Sequence, residues 1–341
     1  MLKFLILLSL FLCTSIHTAA DIAFLSDRDG KTNIYVMNDD GSDVRRLTDT
    51  PMAVGSPNWS PDGQQIAFIM DLNSAEPGNP QGLQQQFDLF VMNADGTRQV
   101  NLTEHPAQDF LGSWSPDGKY LVFDSARAGH AGDVSLEIHV MEVATRKVWQ
   151  LTNFGFASDP KWSPDGTQIV YESVKRGEGR HVHIMDADGT NPRPLLRQPR
   201  KGFGGRVVGS YFPSWSPDGQ YILYNEIAPV ANGGFAASIL IVNKDTRHVK
   251  VLDTPKNWKI HKVCWVDGGS AVLFAAVPNG MVNKSKVFKI YKYRLNDGKI
   301  TNLTDHPSDN WEMSWTPHQS LAVSSAAKLS TLWAQIKKSA E

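Results

Sequence analysis

Short apolar runs recur along this chain, each closed by glycine, proline, aspartate or asparagine. The first set reads Ile22–Ser26 (IAFLS), Ile34–Asn38 (IYVMN), Val44–Leu47 (VRRL) and a piece ending in Trp59. The next set repeats the order with Ile66–Met70, Leu89–Asn93, Gln99–Leu102 and a piece ending in Trp114. The runs are short and rich in Ile, Val, Phe and Tyr, which predicts strands. Between the second and third pieces stand Asn38-Asp39-Asp40-Gly41, Asn93-Ala94-Asp95-Gly96 and Asp186-Ala187-Asp188-Gly189. Such pairs predict tight hairpins, because glycine takes a positive φ at little cost. No segment between Asp21 and Gln319 keeps a helical period.

A second turn is written WSPDG, at Trp59–Gly63, Trp114–Gly118, Trp162–Gly166 and Trp215–Gly219, with worn copies at Trp265–Gly269 (WVDGG) and Trp315–Gln319 (WTPHQ). The tryptophans are 55, 48, 53, 50 and 50 residues apart. Four strands per unit at a period of ~50 residues predict propeller blades. The chain is therefore expected to be all-β, a six-bladed β-propeller of four-stranded antiparallel blades. It begins in mid-blade, so the strand carrying Trp315 is expected to complete blade one and close the ring. Trp59, Trp114, Trp162, Trp215, Trp265 and Trp315 are the structural repeat.

The runs IAFLSDRDG, IYVMNDDG, RRLTD and PNWSPDG resemble the repeats of the TolB-type six-bladed β-propeller family, over nearly all of residues 21–319. The family's proteins also carry an α/β domain before the propeller, and this chain has no room for one between Ala20 and Ile22. The resemblance implies a bacterial envelope protein that binds partners.

Residues 1–20 read as a secretory signal peptide, with Lys3, an apolar run from Phe4 to Leu12, and small residues Thr18 and Ala20 before Asp21. The run is too short to span a bilayer, and Leu12 before Cys13 does not fit a lipoprotein signal. A periplasmic or secreted bacterial location follows, with no membrane span. Residues 21–326 form the propeller, and 327–341 form a tail in which Leu329, Leu332, Trp333 and Ile336 make an amphipathic helical stripe. With 34 basic and 35 acidic residues the chain is near neutral, which argues against nucleic-acid binding. Cys264, beside Trp265, is expected to be a buried thiol.

Function is expected where the repeats disagree. The WSPDG and Asp-Gly turns share one face of the disc and stay alike. Loops on the other face vary, and Asp71–Gln86 is the longest. That face should carry an aromatic rim of Phe110, Phe154, Phe156, Phe203, Tyr211, Trp258 and Trp311, with Arg206 in a basic sector and Asp159 and Glu312 in an acidic one. The rim could stack on sugars or hold peptide side chains, or its rings could simply wedge between blades. His105 and His306 share the repeat position LT(E/D)HP. With Asp109 and Asp309 they are the candidates for acid–base chemistry or for a divalent metal, the alternative to having no cofactor. Related propeller lyases acting on pectin fragments use histidines and a metal in this way. His181-x-His183 could begin a metal site too, but His183 and His139 stand where other blades carry Tyr35, Phe90 and Tyr291. The leading expectation is a monomeric, non-catalytic scaffold for an envelope protein, peptide or glycan. The alternative is a polysaccharide lyase or glycan hydrolase.

Overall fold

The computed structural model describes residues 21–316 apart from 75–84, 129–134, 176–178, 197–207, 230–234 and 279–286. The leader (1–20) and the amphipathic tail (327–341) lie outside the described residues, as do Phe203 and Arg206.

The described residues form six four-stranded antiparallel sheets. Each blade opens on a strand that carries the repeat tryptophan or precedes its turn: Asn310–Trp315 in blade one, then Ala53–Trp59, Asp109–Trp114, Ala157–Trp162, Gly209–Trp215 and Lys259–Val266 in blades two to six. These opening strands touch one another around the centre of the ring. Blade one is assembled from both chain ends: Asn310–Trp315 pairs antiparallel with Asp21–Ser26, Ile22 lying opposite Trp315. The closure expected from the broken repeat is therefore present.

The tryptophans bind neighbouring blades. Trp59, Trp114, Trp162, Trp215 and Trp265 are buried. The indole N–H groups of Trp114, Trp215 and Trp265 donate to the carbonyls of Asn58, Lys161 and Ser214, each just before the previous blade's tryptophan, at 3.1–3.3 Å. These three rings thus hide apolar surface between blades while their polar edges find acceptors.

The WSPDG turn is latched from within. Ser60, Ser115, Ser163 and Ser216 donate their hydroxyls to Asp62, Asp117, Asp165 and Asp218 at 2.5–2.6 Å. The same hydroxyls accept the backbone N–H five residues on at 2.9 Å. In the WVDGG copy Val266 replaces the serine, and Asp267 instead pairs with Lys292 at 2.8 Å.

The second and third strands share a ring pair in five blades: Phe24–Tyr35, Phe68–Phe90, Phe123–His139, Tyr171–His183 and Phe274–Tyr291, with centroids 5.6–5.9 Å apart. His139 and His183 therefore fill an aromatic position, as the aligned repeats suggest.

Candidate functional site

All six opening strands carry a β-bulge at the same place. The register slips by one residue between Gly55 and Asn58, Leu111 and Ser113, Ser158 and Lys161, Tyr211 and Ser214, Ile260 and Val263, and within the pairing of Trp311 and Ser314. Bulges re-aim side chains, and they favour strand edges beside functional sites. Ser56, Leu111, Asp159, Phe212, Lys262 and Glu312, three before each tryptophan, stand at or beside these bulges. Four of these six have positive φ, between 48 and 57°: Ser56, Asp159, Phe212 and Glu312. In blade three the bulge is Gly112, where a Cβ would stand 2.3 Å from the carbonyl oxygen of Pro160, so no larger residue fits.

The turned backbone N–H groups are capped by buried carboxylates. Glu312 accepts from Ser56 N–H at 2.5 Å, Asp124 from Asp159 N–H at 3.1 Å and Glu172 from Phe212 N–H at 2.6 Å. Asn225 stands at the equivalent place in blade five and donates to the carbonyl of His261 at 3.0 Å. Each cap ties one blade to the next.

The opening strands of all six blades enclose a cavity of about 280 Å³, lined among others by Ser56, Leu111, Asp159, Lys161, Phe212 and Lys262. Its charges are incompletely matched. Lys262 makes no hydrogen bond or ion pair among the described residues, and neither does the Asp159 carboxylate. Lys161 donates only to the Gly112 carbonyl. Burial, reinforced by the charge of Lys262, brings the Lys161 pKa down to about 8, against the pull of Asp159, Asp124 and Glu312. Burial alone would raise Glu312, but Lys262, the Ser56 N–H, His261 and the Ser56 hydroxyl hold it below its ordinary value. Burial also raises Asp124 and Glu172 well above their ordinary values, and Asp159 adds to both shifts. His261 is pushed down by burial and packs against Phe212, with ring centroids 4.8 Å apart. Cys264 is half-buried and lines the cavity, so it is less enclosed than its neighbour Trp265 suggested. Burial still pushes its thiol up to about 12, which keeps it protonated.

At the loop-face end, Arg180 lies between two rings, 4.8 Å from the centroid of Phe156 and 5.2 Å from that of Tyr211, and pairs with Glu172 at 2.9 Å. The other rim aromatics are placed differently. Phe110 packs on Phe87 at 5.3 Å, Trp258 on Tyr291 at 4.5 Å, and Trp311 joins the apolar clusters on both sides of blade one. Phe154 is exposed.

His105 and His306 lie on different connections, from blade two to three and from blade six to one. Each Nδ1 accepts the N–H two residues on, from Ala107 at 3.0 Å and Ser308 at 3.3 Å. Asp109 pairs with Arg127 at 2.6 Å, and Asp309 accepts the N–H of Phe288 at 2.6 Å. Among the described residues no three His, Cys, Asp or Glu side chains group to hold a metal ion.

Lys161, Lys262, His261, Asp124, Glu172 and Arg180 were not singled out from sequence. A signal was available: Pro57, Pro160 and Pro213 each stand two before a tryptophan. Proline inside a strand marks an edge or a bulge, and its neighbours are the residues at or beside the bulge.

No protein-family model matches the chain. The chain is 34% identical over 140 residues to an uncharacterized peptidase, YuxL, of Bacillus subtilis, a match covering 33% of this chain and 21% of YuxL. In fold it is similar to TolB of Acinetobacter baumannii, with a TM-score of 0.67 and 18% identity over 87% of this chain and 67% of that one. It is also similar to oligogalacturonate lyase of Vibrio parahaemolyticus, with a TM-score of 0.54 and 14% identity over 82% of this chain and 73% of the lyase. The fold is a TolB-like six-bladed β-propeller, similar to those of TolB and of oligogalacturonate lyase. These relatives are bacterial, in keeping with the periplasmic or secreted bacterial location expected from residues 1–20.

Proposed function

We propose that this protein is an exported, non-catalytic binding module. It receives an extended peptide segment of an envelope protein at the loop-face mouth of its channel, and an acidic side chain or terminus of that segment enters between Lys161 and Lys262. The observation that carries this reading is the unmatched charge at the bulges. Lys262 makes no hydrogen bond or ion pair among the described residues, although its charge acts on Glu312, and Lys161 has one carbonyl. Half-enclosed polar groups left unmatched await a ligand that supplies the missing bonds. Leu111 and Phe212 beside them offer apolar contact, and the Phe156–Arg180–Tyr211 stack gives a firm platform at the entrance.

The enzyme reading has support in the lyase likeness, and one such lyase was solved in complex with manganese. It is the weaker reading, because His105 and His306 spend their Nδ1 atoms on their own turns. The test is capture from an envelope extract by the full chain, compared with Lys161→Met/Lys262→Met and with His105→Ala/His306→Ala. The lysine pair should lose the captured protein and the histidine pair should keep it. Turnover of oligogalacturonate with manganese, abolished by the histidine substitutions, would overturn the proposal.

A further inference from the structure

On the turn face a groove of about 560 Å³ runs between blades five and six, sharing Pro217 and Trp265 with the channel cavity. Its apolar wall is Pro217, Tyr221, Ile241, Val249, Trp265 and Leu295. Tyr221 is 39% exposed there although it belongs to a strand. The groove opens where the repeat is worn. The WVDGG turn has no serine latch, and the space beside Gly268 holds no atom within 4 Å of where a Cβ would stand.

The chain itself has a segment suited to cover it. Strand Asn310–Trp315 runs toward the turn face, where Thr316 lies 3.8 Å from the Cβ position of Gly63 in the turn of blade two. The chain thus leaves the ring on the same face as the groove, and blade one adjoins blade six. Residues 317–328 can span up to ~40 Å when extended, enough to pass over blade six. Beyond them Leu329, Leu332, Trp333 and Ile336 recur at helical spacing. A helix of that length is marginal alone in water and gains its stability by burying an apolar face.

We propose that residues 327–341 dock as a helix in the groove between blades five and six, with Leu332 and Trp333 against Tyr221 and Leu295. Hydrogen exchange on the full chain tests this. Residues 329–336 should exchange on the order of tenfold or more slowly than an unstructured peptide. Both Leu295→Asp in the groove and Leu332→Asp in the tail should return them to the unprotected rate. The tail substitution should also leave the melting temperature of the propeller unchanged, which keeps the test valid if Leu295→Asp fails to fold. Free exchange in the unsubstituted chain would overturn the proposal, as would protection that survives Leu295→Asp in a folded protein. Protection that grows with protein concentration would assign the groove to a second copy and overturn it too.

Discussion

Lys161 shows how much a single residue can depend on its surroundings. Its ammonium lies among protein atoms with one carbonyl as acceptor, and burial together with Lys262 brings its pKa down to about 8. A lysine ordinarily titrates near 10.4, so this one discharges close to the range in which proteins work. Below pH 8 Lys161 is charged, and an acidic group beside it is held. As pH rises through about 8, Lys161 loses its proton and that attraction weakens. Affinity for the captured partner, followed by titration calorimetry from pH 6.5 to 9.5, should therefore fall above pH 8, and Lys161→Met should be weaker and flat over the same range. A wild-type affinity that stays constant to pH 9.5 would remove Lys161 from the binding site. In the sequence Lys161 is one letter between a proline and a tryptophan, at a position that reads Asn58, Ser113, Ser214, Cys264 and Ser314 in the other blades. Apart from the proline before it, nothing local marks it as enclosed, because its environment comes from five other strands.

At the scale of the element, the opening strand holds both what could be read in advance and what could not. Its tryptophan, its turn and its antiparallel partner follow from alternation and turn chemistry, which are local properties. The bulge recurs at the same place in every blade, where the register along the strand slips before the tryptophan. Phe110, Trp258 and Trp311 pack on neighbouring rings and apolar clusters, while Asp159, Lys262 and Phe212 line the channel. The caps on the bulges make their own prediction. Asp124 is raised well above its ordinary value, chiefly by burial. The folded state therefore binds its proton more tightly than the unfolded chain does, and stability falls as pH climbs from the ordinary carboxylate value through the raised one. Asp124→Asn keeps an oxygen to accept the Asp159 N–H and removes the buried charge. Thermal melts should find this variant more stable than the wild type at pH 8 and level with it near pH 4. Equal melting temperatures at both pH values would mean that Asp124 carries no uncompensated charge.

For the molecule as a whole, the decisive pairing is between the two ends of the described chain. Strand Asn310–Trp315 is the opening strand of blade one, and its Glu312 caps the bulge of blade two at Ser56. Deleting residues 310–326 removes both at once, and a circular-dichroism melt of that variant should lack the cooperative transition of the full chain. A retained melting temperature would mean that the ring stands without its closing strand. The six-fold arrangement and its closure were readable from the repeat, because a period and a missing strand are properties of the whole sequence. The bulges that meet at its centre carry one more consequence. Each opening strand is hydrogen-bonded on one side alone, so six strand edges face the channel, and an unbroken edge is a template on which a foreign strand can add. A bulge in every one of them, four with a left-handed residue at its corner, interrupts the row of donors and acceptors that such addition requires. A segment that enters the channel is thereby read by the side chains around it and cannot be stitched into the sheets.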